Sequence, residues 1–245
     1  MQYGKFALVY DKLMSGVDYE GWARYLNGFL PEGASLLECA CGTGEMTRRF
    51  AAAGHSVIAT DVSEDMLGIA SEKLRLSGAL SRSVRFANMD MRSIAVHKPV
   101  DAVVCCCDGV NYLLDAADVK RFFNGANAAL KPGGLLLFDV SSRYKFSTVL
   151  GNNCFADNDS ELPYMWQNNY DADSKLIGME LAFFVKKGEL YERFDETHVQ
   201  RAHSQRELAS WLDECGFDHE AYACFTLEPP AEDTERIQFV ARKRI

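Results

Sequence analysis

Apolar positions follow two rhythms along this chain, and the change between them comes near Val140. Early on the rhythm is helical: Trp22, Tyr25, Leu26 and Phe29 recur at spacings of three and four, predicting an amphipathic helix over 19–30, closed by Pro31-Glu32-Gly33. Short apolar runs then alternate with helical patterns. Strands are expected at 35–39, 56–60, 84–87, 101–106 and 135–140, and helices at 45–53, 64–77 and 117–130. Strand-like runs separated by amphipathic helices mean a parallel sheet with right-handed crossovers. After Val140 the pattern shifts to a short helix over 142–150, a polar loop over 152–159, and three strands at 164–170, 175–185 and 190–202. The strands are joined by the turn-rich Asp171-Ala172-Asp173-Ser174 and Lys186-Lys187-Gly188-Glu189, so they are expected to be antiparallel. Ser204-Gln205-Arg206-Glu207 is a capping box that opens a helix to Glu214; Gly216 and two closing strands, 220–227 and 236–241, follow. This gives a helical lid or flank at 1–34, a core at 35–141, an inserted antiparallel sheet at 142–203, and a C-terminal helix with closing strands at 204–245.

The first strand carries the chemistry. Leu36-Leu37-Glu38-Cys39-Ala40-Cys41-Gly42-Thr43-Gly44-Glu45-Met46-Thr47 is an apolar run that ends in a glycine turn and opens a helix. Gly42 and Gly44 let the backbone turn tightly and approach a ligand, and Asp61, ending the next strand, can accept hydrogen bonds from a ribose diol. A dinucleotide site wants a small third residue and an open helix N-terminus for pyrophosphate; here Thr47 holds that position, and Glu38 and Glu45 place negative charge around the turn. The charge favours a cationic ligand, an ammonium or sulfonium.

Residues 38–44 resemble the first motif of class I S-adenosylmethionine-dependent methyltransferases: an acidic residue, spacers and Gly-x-Gly. Asp61-Val62-Ser63-Glu64-Asp65-Met66-Leu67 resembles the second motif, Asn88-Met89-Asp90-Met91 the adenine-side motif, and Lys131-Pro132-Gly133-Gly134 the turn before the fifth strand. The resemblance spans about residues 35–140 and implies an α/β, Rossmann-like fold with a mostly parallel seven-stranded sheet and helices on both faces. It also implies S-adenosylmethionine as cofactor, with Glu38 facing the ammonium, Gly42 and Gly44 the methionine and ribose portions, Asp61 the ribose, Met66 the adenine face and Asp90 the adenine amine. Cys39, Ala40, Val62, Met91 and Cys107 fall beside these positions and join the expected cofactor site. Cys39 and Ala40 depart from the glycine or small apolar residues usual there. The lead-in Tyr3-Gly4-Lys5-Phe6-Ala7-Leu8-Val9-Tyr10-Asp11 resembles that of glycine and sugar N-methyltransferases, where a tyrosine covers the methionine end; Tyr10 is the candidate, packing of the first helix being the alternative.

Acceptors in such sheets meet the cofactor outside the carboxyl ends of the strands. Asp108, Asn111 and Tyr112 after the fourth strand, and Tyr144 after the fifth, are therefore candidates, with Asp108 able to take a proton; turn capping is the alternative for Asp108 and Asn111. In the inserted sheet, alternation puts Glu196, His198 and Gln200 on one face and Arg193, Asp195, Thr197 and Arg201 on the other. Glu196 and His198 are candidate catalytic groups, His198 as base and Glu196 holding its tautomer, with Arg193 and Arg201 as candidate acceptor ligands; a solvated sheet face is the alternative.

Bulk properties narrow the class. The chain has 245 residues, 48% of them hydrophobic, enough for one large domain or a domain with an elaboration. A net charge of −9 disfavours a phosphate backbone as partner. No apolar run approaches a membrane span, the N-terminus has no signal-like stretch, and a cytoplasmic location is expected. The eight cysteines, including Cys105-Cys106-Cys107, show no zinc spacing, so no metal is expected; they read as buried hydrophobes or, alternatively, as a redox-sensitive thiol beside the cofactor. The expected function is methyl transfer from S-adenosylmethionine to a nitrogen or oxygen of a small molecule by in-line displacement. RNA or protein methylation and a noncatalytic S-adenosylmethionine-binding regulator are the alternatives, and a nicotinamide-dependent oxidoreductase is disfavoured by Thr47 and Glu38.

Overall fold

A computed structural model describes residues 4–78 and 82–245; Tyr3 of the lead-in lies outside the described residues. Two helices, α1 (Gly4–Leu13) and α2 (Tyr19–Asn27), precede the alternating core of β1 (Ser35–Cys39), α3 (Glu45–Ala52), β2 (Ser56–Asp61), α4 (Glu64–Leu76), β3 (Val84–Asn88), β4 (Val100–Cys105), α5 (Ala116–Ala129) and β5 (Leu130–Ser141). A π-helical turn, Lys145–Leu150, leads into β6 (Cys154–Asp157), β7 (Tyr164–Asp171), β8 (Leu176–Lys187) and β9 (Leu190–Arg201). The chain closes with α6 (Gln205–Glu214), β10 (Phe217–Ala223) and β11 (Arg236–Lys243). Both halves of the capping box at Ser204 and Glu207 form.

The larger sheet has seven strands in the order β10-β11-β5-β4-β1-β2-β3; β11 runs against the other six, pairing antiparallel with both β5 and β10. Strand order reverses between β1 and β4, and the crevice outside their carboxyl ends is where such sheets bind ligands. Side-chain alternation sorts the core onto the two faces. Leu37, Val103 and Cys105 pack under α5 and α6 with Phe122, Phe123, Leu208 and Leu212. Leu36, Val104 and Cys106 pack on the other face with Trp22, Leu26, Met46 and Phe50. The cysteine run thus serves both faces of one buried strand end.

The second sheet, β6-β7-β8-β9, is antiparallel. Its inner face carries Ile177, Met179, Leu181 and Phe183 of β8, paired in register with Gln200, His198, Glu196 and Phe194 of β9. Helix α1 fills the space below it: Phe6, Ala7 and Val9 join Met66, Phe146 and the β8 side chains in a third apolar cluster.

Several boundaries differ from expectation. The lead-in is a helix, its Phe6, Val9, Tyr10 and Leu13 following the three-and-four spacing of a buried stripe. The expected polar loop over 152–159 contains β6, whose four residues are all exposed; pairing with β7 forms it, and no apolar alternation announces it. β10 begins at Phe217 rather than Glu220, leaving 224–235 as the connection to β11.

Candidate active site

The turn after β1 is built from left-handed backbone: Ala40, Gly42 and Gly44 have φ of 53°, 54° and 79°. Glycine adopts this region freely, whereas alanine at Ala40 bears the strain of the position. The cradle needs its glycines for space as well. A Cβ on Gly44 would stand 3.0 Å from the Cβ of Ala70, and one on Gly109, after β4, would be 2.7 Å from Cys105 Sγ and 3.2 Å from Ala40 Cβ. Above Gly42 sits Tyr10, whose ring carbon would be 3.9 Å from an added Cβ. A cavity of about 30 Å³ lies between them, bounded by Tyr10, Tyr19, Glu38, Gly42, Glu45 and Cys107 among others; its lining includes two carboxyl groups and no basic side chain.

Glu38 is buried, and Thr47 Oγ1 donates to its Oε2 at 2.5 Å. Burial pushes its carboxyl up to about 8; the Thr47 hydrogen bond pulls the other way, and nearby Asp61 adds to the rise. Thr47, which spoils a pyrophosphate site, therefore positions the acid. Asp61 Oδ2 accepts from Gly42 N and Oδ1 from Ser63 N, each at 2.9 Å, fixing the glycine turn to the end of β2. Glu45 is paired with Arg49 and Lys73, so Glu38 is the buried acid left to suit an ammonium or sulfonium ligand, and Glu38, Asp61 and the glycine backbone are the groups that fit S-adenosylmethionine.

On the adenine side the expected residues scatter. Val62 is exposed at the rim, and Asn88 Nδ2 donates to the carbonyls of Asp61 and Val62. Met91 and Ala40 lie near Gly109, beside the crevice. Asp90 caps the turn Met91–Ser93 and pairs with Arg92, which holds its carboxyl below the usual range. Met66 packs into the cluster of α1 and the second sheet. Cys39 is fully buried on the α5 side and offers a ligand only backbone.

At the acceptor end the two sheets meet. Cys107 and Asp108 are both left-handed, with φ of 59° and 53°, a strained pair just beyond β4. Gln200 Nε2 from β9 donates to Asp108 Oδ2 at 2.9 Å, Arg236 Nη2 from β11 lies 2.8 Å from Asp108 Oδ1, and Arg236 Nη1 pairs with Asp139. Asp108 N donates to Asp139 Oδ2 at 3.0 Å. Burial works against ionisation of Asp108, but Arg236, Lys145 and Gln200 outweigh it and hold this carboxyl below its ordinary value. Beside this network, Tyr112 Oη and His198 Nδ1 are 3.3 Å apart, and burial lowers the imidazole to about 4. Glu196 shares the inner face with His198, two residues along the strand, and is half-buried; Tyr144 precedes the π-helical turn.

Three expected acceptor ligands have other work. Asn111 is fully buried, its amide donating to the carbonyls of Ser141 and Arg201 and accepting from Ser141 N. Arg201 is spent on the Leu114 carbonyl and, more distantly, Glu207. Arg193 points outward and pairs with Asp195 on the exposed face. Sequence reasoning missed Arg236 and Asp139. Asp139 is a carboxyl near the end of an apolar strand at the sheet's carboxyl edge, a signal that was present; Arg236, beginning β11, had none.

Comparisons with known proteins identify the family. A family described as a methyltransferase domain matches residues 36–134. The putative methyltransferase YqeM of Bacillus subtilis (strain 168) is 41% identical over 245 residues, covering 99% of this chain and 98% of that protein. The crystal structure of an S-adenosylmethionine-dependent methyltransferase from Clostridium acetobutylicum ATCC 824 superposes with a TM-score of 0.88 at 33% identity over 99% of both chains. CalS10 of Micromonospora echinaspora, an amino pentose methyltransferase with S-adenosylmethionine bound, shares the fold with a TM-score of 0.75 at 22% identity, covering 96% of each chain. The chain belongs to the class I S-adenosylmethionine-dependent methyltransferases. It is an enzyme with S-adenosylmethionine as its cofactor.

Proposed function

We propose that this methyltransferase acts on a small molecule through an amine or hydroxyl, with the four-stranded sheet forming one wall of the acceptor pocket. The observation that carries this reading is the joining of the two sheets over the crevice: Gln200 reaches Asp108, and His198 reaches Tyr112. A roof tied down at the reacting end favours an acceptor small enough to be surrounded. The sharing of this fold by an amino pentose methyltransferase supports the same class.

S-adenosylmethionine supplies a methyl group already activated by the sulfonium. The protein's task is then alignment and exclusion of water. Glu38 holds the cofactor's ammonium and Asp61 its ribose, and Tyr10 shields the methionine portion. Asp108, kept ionised by Arg236, orients an acceptor N–H or O–H and stabilises positive charge developing on a methylated amine; its low basicity makes it a weak proton acceptor. His198, lowered to about 4 by burial, is neutral at pH 7 and nearly as weak a base as Asp108, so it orients the acceptor by hydrogen bonding rather than by taking its proton, with Tyr112 beside its ring and Glu196 binding the acceptor alongside.

Methyl-labelled S-adenosylmethionine incubated with the enzyme and a whole-cell extract, afterwards separated into small-molecule, RNA and protein fractions, tests the reading. Label is expected in a small product; label only in RNA or protein fractions would defeat it.

A further inference from the structure

A hydroxyl and an amine make different demands on a methyltransferase. A neutral hydroxyl must lose its proton as the new C–O bond forms, so it needs a base with an open lone pair beside it, whereas a neutral amine already carries the lone pair that attacks. The groups where the two sheets meet suit the second demand and fail the first.

Asp108 is occupied on both oxygens: Arg236 Nη2 lies 2.8 Å from Oδ1, and Gln200 Nε2 donates to Oδ2 at 2.9 Å. Both donors favour the ionised form, which makes the carboxylate a poor proton acceptor. His198 is closed in either tautomer. With the proton on Nε2, the Nδ1 lone pair accepts from Tyr112 Oη, 3.3 Å away; with the proton on Nδ1, the lone pair belongs to Nε2, which is buried, and the Phe6 ring packs 5.0 Å from the imidazole between centroids. Glu196 stands four residues before Gln200 on β9, about 13 Å along an extended strand, and so away from the Asp108 end. Burial and Arg236 lower the Lys145 ammonium, but Asp108, Glu235 and Asp139 favour its charged form, which has N–H donors and no lone pair.

Arg236 also removes an obstacle to an amine. An uncompensated carboxylate would hold a nearby amine as an ammonium, which cannot attack. With its charge offset by Arg236, Asp108 can orient an N–H and leave the nitrogen neutral. An ionised Asp108 has no proton to donate, so it does not serve an acceptor oxygen that is already anionic.

We propose that the methyl acceptor reacts through an amine nitrogen, with water rather than a protein group receiving the proton. The neutral nitrogen's lone pair forms the C–N bond as the C–S bond breaks and its electron pair stays on sulfur, leaving S-adenosylhomocysteine and a methylated ammonium, which then loses its proton to water. This rests on the small-acceptor reading and narrows it from amine or hydroxyl to amine.

The test uses S-adenosylmethionine carrying a carbon-13 methyl group, incubated with the enzyme and a whole-cell extract of cells grown on nitrogen-15. The methyl resonance of the labelled small product should be split by one-bond coupling to nitrogen-15. An unsplit methyl signal in that fraction would overturn the amine assignment and leave the small-acceptor reading intact; label confined to RNA or protein would overturn both. Lys145→Met checks the destination of the proton, with S-adenosylhomocysteine affinity as the readout of an intact fold. It should retain the initial rate of transfer to within about tenfold, whereas loss of a general base costs roughly 10²- to 10⁴-fold. A loss of that size with normal S-adenosylhomocysteine binding would make Lys145 the base and overturn the proposal.

Discussion

Arg236 Nη2 lies 2.8 Å from Asp108 Oδ1 while its other terminal nitrogen pairs with Asp139, so a single guanidinium at the start of β11 ties together the ends of β4 and β5. The stack of Trp22 on Arg236 adds α2 to the same junction. Removing the cation leaves two shielded carboxyl groups uncompensated. Arg236→Met should destabilise the fold by about 3 to 5 kcal/mol, the usual result of halving a buried pair, and adding Asp108→Asn should restore part of that loss. Urea unfolding of the single and double variants checks both. Additive losses would mean that the guanidinium and Asp108 are not coupled.

Glu38 links cofactor binding to pH. Its carboxyl, pushed up to about 8 by burial, is mostly protonated at pH 7 in the free enzyme, whereas an ammonium ligand stabilises the ionised form. Binding should therefore release nearly one proton at pH 7, and affinity should rise as pH increases toward 8. The same raised value means that Glu38's contribution to the free protein's stability is complete below about pH 4.5, its ordinary value, and is lost as pH rises through about 8. Calorimetry of S-adenosylhomocysteine binding in buffers of different ionisation enthalpy counts the proton. Glu38→Gln should abolish its release, and an unchanged count would assign the ammonium to another partner.

The cofactor half of the site was legible because its parts are local. Gly42, Gly44 and Asp61 lie on one β-α-β unit, and the backbone geometry they require is written in residue type. The two faces of β9 were equally legible, since strand period alone separates Gln200 and His198 from Arg193. The acceptor end depends on partners distant in sequence. Arg236 meets Asp108 only because β11 runs antiparallel beside β5, and no local pattern encodes that meeting. Asn111 shows the complementary difficulty: the amide that suits it to bind a ligand suits it equally to bridge two backbones, and only the position of Arg201 decides.

His198 and His203 set an acid limit on stability. Burial lowers both to about 4 from an ordinary value of 6.5; a hydrogen bond between His203 and the Leu113 carbonyl opposes the shift there. Because the folded state holds them neutral, their contribution is complete above pH 6.5 and is lost as pH falls toward 4, on the order of 2 kcal/mol for each. Unfolding free energies measured across that window should fall with acid, and His198→Gln should flatten the slope while leaving the His203 part. An identical slope in the variant would mean that His198 does not stay neutral when the protein folds.

Asp11 fastens α1 to the glycine turn: Thr43 Oγ1 donates to its Oδ1 at 2.5 Å, and Lys73 Nζ lies 2.6 Å from Oδ2. Lys5 and Lys12 make further ion pairs from the same helix to Glu192 and Asp159, so α1 bridges the cofactor crevice and the second sheet. The cavity beneath Tyr10, about 30 Å³, has room for little more than a water molecule or two. Cofactor entry therefore requires α1 or Tyr10 to move, and the Asp11 contacts resist that motion. Because Asp11 is partly exposed, its ion pair adds little to global stability. Asp11→Ala should leave the thermal midpoint nearly unchanged but speed both association and release of S-adenosylhomocysteine, by roughly threefold to tenfold if about 0.7 to 1.4 kcal/mol of latch is removed. Stopped-flow fluorescence measures both rates. Unaltered kinetics would show that the helix opens at another hinge or that the cofactor enters without lifting it.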